Sequence, residues 1–370
     1  CVEPQAEAVP AAGEEAAAPT EPEVIKQKKP EEEAVEGEAG EGKETPKTQF
    51  AYLSEGYHGD TLGAVSVGGI EQFHSLYKPL LPAHVKVDLA AWHKRARGDE
   101  LQARAVVLAE LQYKLTRNHK KLAAVILEPL VQGAGGILPL PGGFLQAARE
   151  LCRAHNVLLI ADEVATGFGR TGRMFACEHE AVAPDILCVA KGLTGGYLPL
   201  AATITTEKVY QAFLGRPEEN KTLFHGHTFT GNPLACAAAI ASLDLFKKRK
   251  PLDNVEARSE QMANWLREIA QHPHVKDTRQ LGLMAGVELS PNPQDPEAAY
   301  PAGRRMGHRV ILEARKRGVL LRPLGDTIVL MPPRSSTEDE ISTLCSVLME
   351  SIHVVCGQEE LFASAARWWL

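Results

Sequence analysis

Residues 156–172 read NVLLIADEVATGFGRTG, and residues 184–196 read PDILCVAKGLTGG. In the first, the apolar run 157–161 is followed at once by Asp162 and Glu163. In the second, the run 186–190 is followed at once by Lys191. Short unbroken apolar runs suit strands buried on both faces, the usual condition in a parallel sheet covered by helices. Each run delivers a charged side chain at its carboxyl end, the edge of an open α/β sheet where ligands sit.

Outward from that stretch, the rhythm is strand, helix, strand. Residues 123–127 (AAVIL) read as another buried strand, closed by Glu128 and Pro129, and residues 142–154 as the helix that crosses back. Residues 101–119 carry apolar positions at helical spacing. Order is expected to begin near Phe50. Residues 61–67 are expected to form a short helix, and residues 73–81 to wrap the surface. Beyond Lys191, LAATITT suits an edge or returning strand, 207–214 a short helix and 224–233 (FHGHTFTGNP) a polar loop. A long Ala-rich helix over 234–247 follows, with Pro233 tolerated in its first turn. Residues 247–251 look like a boundary. The remainder has the pattern of a smaller α+β unit: helices over 255–270, 304–317 and 337–354, a strand in GLMAGVEL, and a hairpin in VLLRPLGDTIVLMPP. The expected fold class is α/β, a mostly parallel central sheet with helices on both faces plus a small C-terminal α+β domain. The expected division is 1–48 leader, 49–250 large domain, 251–356 small domain and 357–370 tail.

The bulk numbers agree with such a protein. The chain has 370 residues, 44% hydrophobic and 24% charged, with a net charge of -7. That length accommodates a large and a small domain, and nothing in the charge points to nucleic acid. No continuous apolar run is long enough to suggest a membrane span. The seven cysteines are widely spaced and odd in number, which argues against a disulfide framework or zinc knuckle and for a reducing compartment. The expected compartment is the cytoplasm, or the mitochondrion in a eukaryote. Residues 1–48 hold 13 Glu against 5 Lys and almost no large apolar residues. Such a composition cannot bury enough surface to offset its ordering entropy, so disorder is expected.

An amine and a carboxylate at one sheet edge suit a ligand with a carbonyl carbon and a cationic ring nitrogen, which is the chemistry of pyridoxal 5'-phosphate. A lysine there can form a Schiff base with an aldehyde cofactor and shuttle protons. Asp162 would keep the pyridine nitrogen protonated. Without such a ligand, Lys191 is a solvated charge and Asp162 a loop cap. Tyr57, in the Gly-rich loop GYHGD, can stack on a ring, with Val164 on its other face and His58 nearby. Thr228 and Thr230 precede a helix start and are candidates for the phosphate. Arg170 and Arg322 can each read a carboxylate through a planar guanidinium, and Glu128 can pair with Arg170 when no carboxylate is bound. His225 and His227 have no ligands at metal spacing, so no metal is expected.

The motifs IADEVATGFGRTG, DILCVAKGLTGG, YHGDTLGAVSVGG, EPLVQGAGG and HGHTFTGNPLACAAA together resemble the class III aminotransferases over residues 50–355. The resemblance implies a fold-type I pyridoxal-phosphate enzyme that works as a homodimer with shared active sites. It implies that Lys191 joins the cofactor aldehyde, Asp162 holds the ring nitrogen, Tyr57 and Val164 flank the ring, and Thr228 reaches the phosphate in the neighbouring subunit. Within the family, GFGRTG with RPLGDTIVLMPP favours members that transfer an amino group from S-adenosylmethionine to 8-amino-7-oxononanoate in biotin biosynthesis. Arg322 would then bind the oxo acid's carboxylate, with Arg170, Tyr57 and Gly226 in the same pocket. Two other readings stay open: a transaminase for an ω-amino acid or ornithine-like donor, and an inactive partner subunit. The last is motivated by the acidic stretch that stands where the family carries a Gly-Ser phosphate cup.

Overall fold

The computed structural model describes residues 46–94 and 99–367, with side chains to residue 357. The expected acidic leader lies outside the described residues as far as residue 45, and so do residues 368–370 of the tail.

The large sheet takes shape from strands β1 (Gln49–Leu53), β2 (Val85–Val87) and β3 (Leu122–Leu127), then, after a two-residue ladder of β4 (Val131–Gln132) and β5 (Leu138–Pro139), from β6 (Leu158–Asp162), β7 (Ile186–Val189) and β8 (Ala202–Thr205). Its spatial order is β2-β1-β3-β6-β7-β8. Every neighbouring pair is parallel except β7 with β8. LAATITT is therefore both the returning strand and an edge. The short helices α1 (Leu62–Ser66), α2 (Glu71–His74) and α3 (Ala90–His93) lie in the connections before α4 (Glu100–Asn118), and α5 (Phe144–Ala154) precedes β6.

Val107, Leu111 and Leu115 recur along α4 at helical spacing, and Phe144, Leu145, Ala148 and Cys152 line α5. They share one core with Val125 and Leu127 of β3 and Leu159 and Ala161 of β6. Each fully buried Leu contributes about 2 kcal/mol, so this core ties both crossovers to the central strands.

Beyond β8 come α6 (Glu207–Gln211) and α7 (Pro233–Arg249). Asn232 caps α7, its Oδ1 accepting from the amides of Leu234 and Ala235, both at 3.1 Å, with Pro233 in the first turn as expected. The expected boundary at 247–251 shrinks to a single residue. Lys250 adopts φ 43° and the next helix, α8 (Pro251–Ile269), starts directly after it.

The second sheet is antiparallel, in the order β11-β12-β10-β9. Its strands are β9 (Val275–Leu281), β10 (Met284–Leu289), β11 (Arg322–Leu324) and β12 (Thr327–Leu330), backed by α8, α9 (Met306–Lys316) and α10 (Glu338–Arg367) around a separate core. Two expectations change here. The single strand expected near GLMAGVEL is a hairpin that turns at Gly282, whose φ of 59° and whose approach to Arg170 (a Cβ would fall 2.5 Å from its carbonyl oxygen) leave room only for glycine. The last helix runs on past 354 to Arg367. By length and composition, residues 338–357 pass as a membrane span. Ile341, Cys345, Leu348, Ile352 and Val355 nevertheless face the small-sheet core at intervals of three and four, the stripe of a soluble packing helix.

Candidate active site

Because β1, β3, β6 and β7 are adjacent and parallel, the residues that follow them lie along one edge: Tyr57 and His58, then Glu128, then Asp162, then Lys191. Asp162 pairs in register with Cys188, so Lys191 stands three residues beyond that position on the neighbouring strand. Adjacent strands are about 4.8 Å apart.

Asp162 is buried at 7% exposure. Its Oδ2 lies 2.7 Å from His58 Nδ1, and its Oδ1 accepts from the Val164 amide at 3.0 Å. Each carboxylate oxygen keeps a further acceptor position. His58 Nε2 is buried and has no hydrogen-bond partner among the described residues. Lys191 is exposed and holds φ 40°, a left-handed conformation for a non-glycine residue. Such strain costs of order 1–3 kcal/mol and concentrates at functional sites. The cause is visible next door: a Cβ on Gly192 would fall 2.7 Å from that of Phe168, so the chain turns tightly against the loop leaving β6.

Tyr57 is anchored through its backbone, its amide donating to Glu128 Oε1 at 3.1 Å. Behind it, the His74 ring lies parallel at 6.3 Å and 7°, with Phe73 edge-on to both. Burial, then a bond to Asp60, raises the Tyr57 phenol, and the charge of Arg322 acts the other way. Arg322 itself stands exposed at the start of β11 in the small sheet. His74 is buried, and desolvation lowers its pKa. The reading of 73–81 as surface did not anticipate this. Only the neighbouring aromatics Phe73 and His74 hinted at it.

Arg170 is engaged by backbone carbonyls of the small sheet. Its Nη1 donates to Pro332 O at 2.5 Å and to Leu283 O at 3.3 Å, fastening the loop after β6 to the small sheet. Burial, with the charge of Arg334 adding, lowers its pKa to about 10. Glu163, which sequence reasoning left unassigned, turns inward from Asp162 and is fully buried. It accepts from Thr166 Oγ1 at 2.8 Å and from the amides of Ala176 and Cys177 at 2.9 and 2.8 Å. The carboxylate pair therefore divides its work, Asp162 facing the edge and Glu163 holding the GFGRTG loop. Thr228 and Gly226 lie in an exposed loop. No hydrogen bond joins the Thr228 hydroxyl to another described residue, and the structure does not bring either residue to the edge within this chain.

The class-III aminotransferase family profile matches residues 33–352, and the chain belongs to that family, whose cofactor is pyridoxal 5'-phosphate. An adenosylmethionine-8-amino-7-oxononanoate aminotransferase of Anoxybacillus flavithermus is 46% identical over 309 residues, 84% of this chain and 68% of that one. The crystal structure of the same-named enzyme of Methanocaldococcus jannaschii superposes with a TM-score of 0.77 at 42% identity, covering 84% of this chain and 68% of that one. An amine transaminase from an uncultivated Pseudomonas species, solved in its PLP-bound internal aldimine form, gives a TM-score of 0.78 at 35% identity over 84% of this chain and 70% of that one. The chain spans 57% of one further curated relative's length and 69% of another's.

The residues at the edge fit this cofactor. Asp162 offers a buried carboxylate with unused acceptor positions for a protonated ring nitrogen. Lys191 offers an exposed amine on the adjacent strand, and Tyr57 an aromatic wall held by Glu128, His74 and Phe73.

Proposed function

We propose that the chain transfers an amino group from S-adenosylmethionine to 8-amino-7-oxononanoate, giving 7,8-diaminononanoate in biotin biosynthesis. The relatives' names support the substrate pair. The observation that supports the reading is the buried Asp162–His58 pair on β6 with Lys191 following the adjacent parallel strand β7.

When bound, pyridoxal phosphate supplies an aldehyde that takes up amines and a ring that accepts the electron pair freed at the substrate carbon. Asp162 Oδ2 and Oδ1, aligned by His58 and the Val164 amide, hold negative charge where the ring nitrogen must stay protonated. Lys191 Nζ would be the amine that seats the aldehyde and, when free, the base that moves a proton to and from the substrate carbon. Tyr57 and Val164 would flank the ring, and Arg322 would orient the oxo acid through its carboxylate. The amino group and the carbonyl oxygen thus change places between donor and acceptor.

The outer surface suits a second copy of the chain. Leu234 and Ile240 of α7 are 72% and 62% exposed, and Phe224 and Phe229 of the loop before it are 88% and 68% exposed. Large apolar side chains exposed on one helix and the loop before it suit an interface, and in a homodimer they would present Thr228 and Gly226 to the other subunit's site. Cys152, Cys177, Cys188, Cys236 and Cys345 form no disulfide, which supports a reducing, cytoplasmic setting.

The test is a pair of half-reactions followed by the cofactor's change from aldehyde to amine form. S-Adenosylmethionine should convert it, and 8-amino-7-oxononanoate should convert it back. Conversion by ornithine or 4-aminobutyrate in place of S-adenosylmethionine would move the function to another donor class, and no conversion by any amine would leave only the partner-subunit reading.

A further inference from the structure

Glu128 closes β3 and is buried at 5% exposure, with its carboxylate split between two backbone donors. Oε1 accepts from the Tyr57 amide at 3.1 Å and Oε2 from the Gly133 amide at 2.9 Å. Tyr57 belongs to the loop after β1, and Gly133 to the turn after β4. The side chain therefore joins two loops on either side of the edge, at the point where no strand pairing does so. The turn packs beside the carboxylate: a Cβ at Gly133 would lie in ordinary van der Waals contact with Glu128 Oε2, the Met284 side chain and Ala165, at 3.5, 3.7 and 3.9 Å. The charged groups that act on it are His58 and Asp162, the pair already holding the ring-nitrogen position. None of the chemistry described above uses Glu128.

We propose that Glu128 is a positioning residue for the cofactor seat: its carboxylate clamps the Tyr57–His58 loop to the Gly133 turn and thereby fixes both the aromatic wall and the His58–Asp162 contact. The inference rests on the reading of this edge as a pyridoxal-phosphate seat. Only a carboxylate can serve both amides at full strength. An ionised carboxyl presents acceptors on both oxygens, whereas an amide of the same shape presents one oxygen and turns its NH2 toward the other N–H. A shorter Asp keeps the charge but cannot span both donors in the same backbone geometry.

The clamp is also tied to pH. Desolvation raises the Glu128 carboxyl to about 7, with His58 and the two amides pulling the other way and Asp162 adding to the rise. The amide protons of Tyr57 and Gly133 point at a group that changes charge near neutrality.

The test uses the full chain without and with added pyridoxal phosphate. In amide NMR of the cofactor-free protein, the Tyr57 and Gly133 resonances should titrate together with a midpoint near 7, and this shared titration should vanish in Glu128→Gln. Glu128→Gln should also shift the His58 imidazole resonance, reduce the induced circular dichroism of bound pyridoxal phosphate and weaken its binding by roughly tenfold. Glu128→Asp should recover part of that loss. Tyr57 and Gly133 amides that do not titrate together in the wild type overturn the proposal even if the variant fails to fold. A Glu128→Gln protein with wild-type dichroism and affinity overturns it as well. Failure of the wild type to form a borohydride-trappable imine at Lys191 overturns the functional reading instead, and the amide titration then still decides whether the clamp exists.

Discussion

Replacing Glu128 by Gln should flatten one component of the chain's stability between pH 5 and pH 8. The Glu128 carboxyl is raised from 4.5 in the free side chain to about 7 in the fold, chiefly by burial. A folded-state pKa above the unfolded value means that the protonated form is the one the fold favours. The associated stability is fully present below pH 4.5 and is lost as the pH rises through about 7. A shift of two to three units corresponds to about 3 kcal/mol at full development, and about 2.5 kcal/mol of it falls between pH 5 and pH 8. Glutamine carries no proton to lose, so this component disappears in the variant. The variant also turns an NH2 toward a backbone N–H, which costs about 1–3 kcal/mol at every pH. That offset lowers the whole curve without changing its slope. The assay is urea unfolding of the cofactor-free protein at half-unit pH steps, with the wild-type minus variant difference plotted against pH. The difference should fall by about 2–3 kcal/mol from pH 5 to pH 8. Parallel curves would refute the reasoning, because they would mean that Glu128 titrates alike in the folded and unfolded chain.

Four further outcomes are expected. Asp162→Asn should lower the rate of amino transfer by roughly two to three orders of magnitude by removing the charge opposite the ring nitrogen, read by single-turnover absorbance. Arg322→Ala should raise the KM for the oxo acid by about tenfold or more while sparing the donor half-reaction, and in a spectrophotometric titration it should raise the Tyr57 phenol further, since Arg322 opposes the rise. Glu163→Ala strands the donors Thr166, Ala176 and Cys177 and should cost about 3 kcal/mol or more in chemical denaturation. With α7 in the proposed homodimer interface, Leu234→Asp with Ile240→Asp should lower the sedimentation coefficient to that of a monomer.

The central strands and their cargo were legible because β6 and β7 are unbroken apolar runs that end on charge. The parallel pairing of β3 with β6 follows from the crossover helix α5 between them, whose Phe144, Leu145, Ala148 and Cys152 are buried in the shared core. The helix start at Asn232-Pro233 was legible for the same local reason: the cap side chain and the missing proline donor both act within one turn. What depended on distant partners was not legible. Arg170 was read as a carboxylate reader, yet its Nη1 is occupied by Leu283 O and Pro332 O, carbonyls more than a hundred residues away that only the fold brings near. Glu163 has the same chemistry as Asp162, and which of the two turns inward depends on where Ala176 and Cys177 return. Gly282 did not announce the β9–β10 turn, because part of its requirement comes from the approach of the Arg170 carbonyl, more than a hundred residues away. His74 looked like a surface residue in a mixed stretch, and it is buried where its ring packs against the backbone at Gly68, with the Tyr57 ring parallel to it.

The most direct test of a pyridoxal-phosphate seat between β6 and β7 is borohydride reduction of the protein after incubation with pyridoxal phosphate, followed by peptide mass mapping. The label should appear on Lys191 and be lost in Lys191→Ala. A label confined to other lysines, or no label at all under saturating cofactor, would contradict it.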